Sequence, residues 1–360
     1  MPTRDGEERA RRAVLRAAGA GLGISAVQQD VLAALRRVMT VDAAFFATAD
    51  PDTLLFTGAY AEEPLAAATA QFLDNEFGAR DVNRFATLAA APGPVGTLDV
   101  ATHADRTSSA RYRDIMRPLG LGDELRAALV VGGACWGYLC LHRVESPLGF
   151  TAGEAALVAR LAPVVAVAVR SAVVSAGRGP GTSAEPGAGV VVLSEDLHPV
   201  AVTPEAQAWL ELIGGTARRP DLPTAVTAVG AALLAGERGP GPTGPLTARV
   251  ATAAGGWLQI SASRLDGDPD GERRIAVVLA AAPAGETVPL LLTGHGLTPR
   301  EAAVARLVLR GASTGAIVDT LHISRYTVQD HLKAVFDKVG VRSRRELAVR
   351  LLGQASAGQP

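Results

Sequence analysis

Cysteine is almost missing from this chain: Cys135 and Cys140 are the only two among 360 residues. A disulfide framework is therefore excluded, and a reducing compartment fits. Aromatics are scarce at 4%, while Ala, Gly and Arg are plentiful, a bias that carries little functional weight. No uninterrupted apolar run is long enough to span a membrane. The most apolar stretch, 155–176, is broken by Arg160, Pro163 and Arg170, and charge at membrane depth is costly. A buried or dimer-forming helix is expected there. The opening MPTRDGEERARR has no apolar core before a cleavage site, so no signal peptide is expected and the chain reads as cytoplasmic. A Walker loop, an H-E-x-x-H helix, a clear carboxylate pair and a receiver-type acidic cluster are all absent from the sequence. No catalytic residue and no metal site are expected, the chain reads as non-enzymatic, and the sequence names no cofactor.

What is present is an uneven charge. The net charge is −1, but residues 297–353 hold ten Lys/Arg against five Asp/Glu, a balance of +5 that leaves −6 elsewhere. Both lysines of the chain, Lys333 and Lys338, lie in this segment. A basic module on an acidic body points to a polyanionic partner for that module alone.

The length allows two or three domains, and the punctuation divides it accordingly. Region one covers 10–175. In it, Leu125–Val131 and Ala134–His142 flank Gly132-Gly133 as a hairpin, and Thr151 with Glu154 forms a capping box that starts the long apolar helix. The linker 176–189 is rich in Gly, Pro and Ser. Region two, 190–282, contains strand-like Val190–Leu193, Val200–Val202 and Ile275–Leu279, and a helix opening at Thr203-Pro204. A hairpin of 249–253 with 257–263 turns at Gly255-Gly256. A second linker is expected over 283–296.

Trp136-Gly-Tyr-Leu, the Phe150…Glu154 helix start and the Gly-Trp257 hairpin make these regions resemble a GAF-type domain followed by a PAS-type domain. The expected fold class is multidomain α+β: two α/β sensor-type units, then an all-α four-helix module. A small-molecule effector in the sensor units is an open option, because such folds also serve as spacers and dimerisation modules.

The module at 297–353 is the most specific part. Thr298-Pro299-Arg300-Glu301 is a cap, a first-turn proline and a box-closing acid. Val304, Leu307 and Val308 supply the buried stripe, and Gly311 fits the position past the helix end. Ser313 caps a short second helix to Leu321, and Ser324 caps a third. There Val328, Leu332, Val335, Phe336 and Val339 form an apolar face opposite Tyr326, Gln329, Asp330, Lys333 and Asp337. Gly340 ends it, and Ser343-Arg344-Arg345-Glu346 starts a fourth helix with Leu347, Leu351 and Leu352. Short helix, tight turn and polar-faced helix are the layout of a helix-turn-helix.

On Leu297–Glu301, Gly311, Ile317, Leu321, Ile323-Ser324, Thr327-Val328, His331-Leu332, Lys338, Gly340-Val341 and Arg344, the segment resembles the DNA-binding domain of the LuxR family of bacterial regulators. The resemblance implies a double-stranded DNA partner and a homodimer. It implies that Gln329, Asp330 and Lys333 face the major groove, while Thr327, His331 and Lys338 approach phosphates. Tyr326 joins the base-contact set from its place on the polar face; Arg325, Arg342, Arg344 and Arg345 join the phosphate set from charge and cap position. The segment makes four departures from the family pattern: Gln329, where a basic residue is common; His322, where Gly is common; the pair Gly315-Ala316; and Val318.

Blander readings compete at several motifs. Gly311-Ala-Ser313-Thr-Gly315 has the G-x-S-x-G spacing, but a helix precedes it where a nucleophile elbow needs a strand, so Ser313 reads as a cap. Gly19-Ala-Gly21-Leu-Gly23 lacks a preceding strand, so no dinucleotide site is expected. Cys135 and Cys140, five apart on one strand, should face opposite ways and read as small core residues. His103 and Asp105 read as exposed loop residues, and Trp136, Tyr138 and Trp257 as core more than pocket. The expected function is sequence-specific DNA binding in transcription regulation. The alternative is a ligand- or partner-binding sensor whose helical module mediates protein interaction.

Overall fold

The computed structural model describes residues 4–19, 21–78, 81–146, 148–178, 185–215, 222–239, 246–265 and 273–353. In region one, β1 (Ala43–Ala49), β2 (Phe56–Ala61), β3 (Val95–Thr97), β4 (Leu121–Val131) and β5 (Ala134–Val144) form an antiparallel sheet in the order β2-β1-β5-β4-β3. Helices α1 (Arg4–Gly19), α2 (Ile24–Arg36) and α6 (Ala152–Ala176) supply the apolar layer that packs with Trp136, Leu139 and Leu141. On the opposite side α3 (Thr69–Gly78) and α4 (Phe85–Ala90) carry Phe72, Phe77 and Phe85 into a ring cluster with Phe45, Phe56 and Tyr138. A short α5 (Leu98–Ala101) follows β3.

The capping box of α6 forms as the sequence predicts, with Thr151 and Glu154 satisfying each other's backbone amides. By length and composition α6 is apolar enough to cross a membrane, but 56% of its most apolar window is buried within the protein. Its apolarity is therefore largely used in packing.

The cysteines are buried core residues as expected, but their expected opposite facing is overturned. Ala128 pairs with Tyr138 and Val130 with Cys135, so Trp136 and Gly137 together oppose the single residue Leu129. This bulge resets the alternation. Cys135, Tyr138 and Cys140 then share one core cluster while Trp136, Leu139 and Leu141 join the other.

Region two builds a second antiparallel sheet from β6 (Gly189–Leu193), β7 (Pro199–Val202), β8 (Thr247–Ala251), β9 (Trp257–Leu265) and β10 (Arg274–Ala281). Its order, β7-β6-β10-β9-β8, repeats the strand permutation of the first sheet. Helix α7 (Pro204–Leu212) is capped by Thr203, and α8 (Thr224–Arg238), which the sequence analysis did not identify, buries Val226, Val229 and Leu234. The middle of the first expected linker, 179–184, lies outside the described residues.

The second expected linker is corrected. Residues 284–294 form α9 (Ala284–Gly294), which buries Val288, Leu290, Leu291 and Leu292. Pro283 and Pro289 suggest a break, yet Pro283 occupies the N-cap, and the burial of this leucine run outweighs the backbone hydrogen bond that Pro289 cannot make. The buried guanidinium of Arg249 on β8 joins the parts. It donates to Asp50 at the end of β1 from Nε at 2.8 Å, to Asp52 at 2.6 Å and to the Glu286 carbonyl of α9 at 2.6 Å. Helices α10 (Pro299–Leu309), α11 (Thr314–Leu321), α12 (Arg325–Val339) and α13 (Arg344–Leu352) complete the chain.

Candidate nucleic-acid interface

Each helix of the C-terminal unit begins where a side-chain cap ends the preceding turn. Thr298 and Glu301 form the predicted reciprocal box on α10. Ser313 Oγ accepts the Ala316 amide at 3.2 Å, Ser324 accepts Thr327 at 3.0 Å and Ser343 accepts Glu346 at 3.1 Å. Ser313 thus works as a cap, as its sequence context indicates. Gly311 and Gly340 take left-handed φ values of 79° and 74° at helix ends, where a Cβ would be strained.

His322 does the same work without that freedom, at φ 52° and ψ 45° between α11 and α12. A left-handed residue with a Cβ costs roughly 1–2 kcal/mol, while glycine costs roughly 0.5–1 kcal/mol more chain entropy on folding. His322→Gly is therefore expected to stabilise the chain by about 0.5–1 kcal/mol in chemical denaturation. A loss of stability would mean that the imidazole makes a compensating contact.

Helix α12 is divided lengthwise. Val328, Leu332, Val335 and Val339 are buried, held by α10 and α11 through the common core. On the outer side Tyr326 is 77% exposed, and Gln329, Asp330 and Lys333 are exposed beside it. With 15 residues the helix is about 22 Å long, enough to lie across a major groove about 12 Å wide. The four residues expected to read bases therefore project from one face.

The residues expected at phosphates are distributed differently. Arg325, Arg342 and Arg345 are exposed and engage in no ion pair among the described residues. Thr327 is tied into the cap, its Oγ1 2.8 Å from Ser324 Oγ, and His331 is half-buried on the flank of α12. Two cations are already committed. Lys338 Nζ lies 2.7 Å from Glu301 Oε2, joining the end of α12 to the start of α10. Arg344 donates to the Ala312 carbonyl and to Thr314 Oγ1, both at 2.9 Å, fastening α13 to the loop before α11. Burial acts to raise the Glu301 carboxyl, but Lys338 and the Thr298 amide hold it below its ordinary range.

Sequence reasoning missed His295. It follows α9, with Nδ1 3.3 Å from the Lys338 carbonyl and Nε2 3.2 Å from Arg178 Nη2, so it touches the end of α12 and the segment after α6. Burial, then the charge of Arg178, pushes its pKa down to about 4. A single histidine beside a glycine gives no sequence signal for this contact. Elsewhere His103 and Asp105 are exposed, and Trp136 and Tyr138 are fully buried, with the Tyr138 hydroxyl donating to the Leu54 carbonyl at 3.0 Å.

Two stretches of the chain match known families. Residues 295–351 match the family of bacterial regulatory proteins, luxR family, and residues 24–169 match the GAF domain. No curated protein matches the chain. The chain thus carries a LuxR-family helix-turn-helix domain behind a GAF domain.

Proposed function

We propose that this protein, with its LuxR-family helix-turn-helix and GAF domains, is a dimeric, cytoplasmic transcription regulator that binds double-stranded DNA sequence-specifically. The observation that carries the proposal is the exposed polar face of α12, where Tyr326, Gln329, Asp330 and Lys333 project together from a helix fixed by its buried side. Side chains of this kind pair with base edges in the major groove: Gln with adenine, a carboxylate with cytosine N4, Lys with guanine. Arg325, Arg342 and Arg345, with Thr327 and His331, set position on the backbone. Lys338 and Arg344 reach phosphates from side chains that already brace the fold. The GAF domain and the second, PAS-like unit act upstream as modulators, and the shared strand order of their sheets supports that reading.

Lys333→Ala tests the assignment. It is expected to weaken binding to the preferred site by about 1–3 kcal/mol and to relax preference at one base position, read from competition binding across single-base variants of the site. An affinity loss that is uniform over all variants would make Lys333 a phosphate contact instead.

A further inference from the structure

The GAF domain holds a second constellation that the DNA-binding face does not use. On the side of its sheet facing α3 and α4, Glu124 from β4 meets Cys140 and His142 from β5. Glu124 and His142 are register partners and Cys140 lies two residues before His142, so strand alternation puts all three side chains on one face. Cys140 Sγ is 3.2 Å from His142 Nε2 and 3.4 Å from Glu124 Oε2. All the donor atoms fall within 4.8 Å of one another, and all three residues are buried.

Three observations bear on what this arrangement is for. The first is distance. Tetrahedral zinc, with sulfur at about 2.3 Å and nitrogen or oxygen at about 2.0–2.1 Å, sets neighbouring donors roughly 3.3–3.6 Å apart. The two spacings from Cys140, 3.2 and 3.4 Å, are already close to that. The second is unmet bonding. His142 Nε2 meets only the weak Cys140 thiol among the described residues, leaving most of its bonding capacity unused. Glu124 gives Oε1 to Arg111, while Oε2 receives Arg126 Nε only at 3.3 Å. The third is charge. The buried carboxylates of Glu76, Asp81 and Glu124 face the two guanidiniums of Arg111 and Arg126, leaving one negative charge uncompensated. A dication that displaces one thiol proton brings the cluster to neutrality. The guanidiniums oppose a bare cation, but the thiolate and three carboxylates outweigh them.

We propose that Glu124, Cys140 and His142 form a binding site for a zinc-class divalent cation inside the GAF domain. Cys140 Sγ binds as thiolate after its proton passes to solvent, with His142 Nε2 and Glu124 Oε2 as the other protein donors. The mixed sulfur, nitrogen and oxygen set selects against magnesium and calcium, which take oxygen donors. His142 also borders a cavity of about 20 Å³ lined by Phe45, Phe72, Arg111, Ile115 and Met116, room for about one water. His142 alone of the trio lines that space, and a water or small donor molecule entering there would complete a four-coordinate site.

The test uses the full chain, reduced and stripped with a chelator, titrated with Co²⁺ and followed by thiolate-to-cobalt charge-transfer absorption. The expected result is a band that saturates at one ion per chain, with one proton released per ion, and that Zn²⁺ abolishes. Cys140→Ser is expected to lose the band, and Cys135→Ser, in the same core but outside the trio, to keep it. If Cys140→Ser fails to fold, His142→Gln is expected to lose the sharp one-ion end point. A folded wild-type chain without the band, or a band that persists in folded Cys140→Ser, overturns the site. Neither outcome depends on DNA binding.

Discussion

Arg249→Ala is expected to destabilise the full chain by about 3–5 kcal/mol, the cost of leaving a buried charge unpaired. The loss arises because Asp50, 1% exposed, would keep only amide donors, those of Asp52 and of residue 249 itself. The same guanidinium also holds Asp52 and the Glu286 carbonyl, so its removal loosens three elements together: the end of β1, β8 and α9. Chemical denaturation of the full chain checks the magnitude. Limited proteolysis checks the place: cleavage is expected to increase between the two sheets and near α9 before either sheet opens. A change below about 1 kcal/mol would mean that the ion pair is no stronger than an exposed one and that the two sheet domains are joined mainly through apolar contacts such as those of α8 with α3 and β2.

DNA affinity is expected to fall about 10⁴-fold between 50 and 200 mM salt, corresponding to a log–log slope near −7. Each helix-turn-helix unit offers about four phosphate contacts: Arg325, Arg342 and Arg345, exposed and in no ion pair among the described residues, with Lys338 and Arg344 together counted as one more. Two such units in a dimer neutralise about eight phosphates, each contributing about −0.9 to the slope. Lys338 and Arg344, bound to Glu301 and to the Ala312 carbonyl, are expected to contribute less. Binding titrations over a salt series give the slope directly. A value near −3.6 would indicate one unit on the DNA, and one shallower than about −2 would contradict the electrostatic footprint.

The C-terminal unit was legible residue by residue because its instructions are local. Thr298, Ser313, Ser324 and Ser343 each cap the helix they precede, and capping depends on neighbours within three residues. The left-handed backbone at His322 fits the glycine common at this position in the family that the segment resembles. Interactions across long separations were not. Nothing local to Lys338 indicates its ion pair with Glu301, 37 residues away in sequence. Helix α9 was read as a linker because Pro283 and Pro289 are local signals, whereas the burial of Leu290, Leu291 and Leu292 is a property of the assembled core.

Strand β4 was placed from Leu125, although it begins at Leu121. Asp123, Glu124 and Arg126 interrupt its hydrophobic pattern, and the partners that explain the burial of Glu124 and Arg126, Arg111 and Glu76, come from outside the sheet. The bulge at Trp136-Gly137 had a similar effect on the cysteines, since alternation counted from sequence cannot register an extra residue. The Cys140-x-His142 spacing on a strand was the one local hint of a shared face. Its meaning needed Glu124 opposite.

The reading of DNA sequence by α12 is best tested by selection from random duplex DNA with the full-length protein, followed by sequencing. An enriched motif of two half-sites with centres about 10 bp apart is expected, with preference weakened in Lys333→Ala. Recovery of all sequences alike by a chain that binds duplex DNA, or no recovery even at low salt, would contradict it.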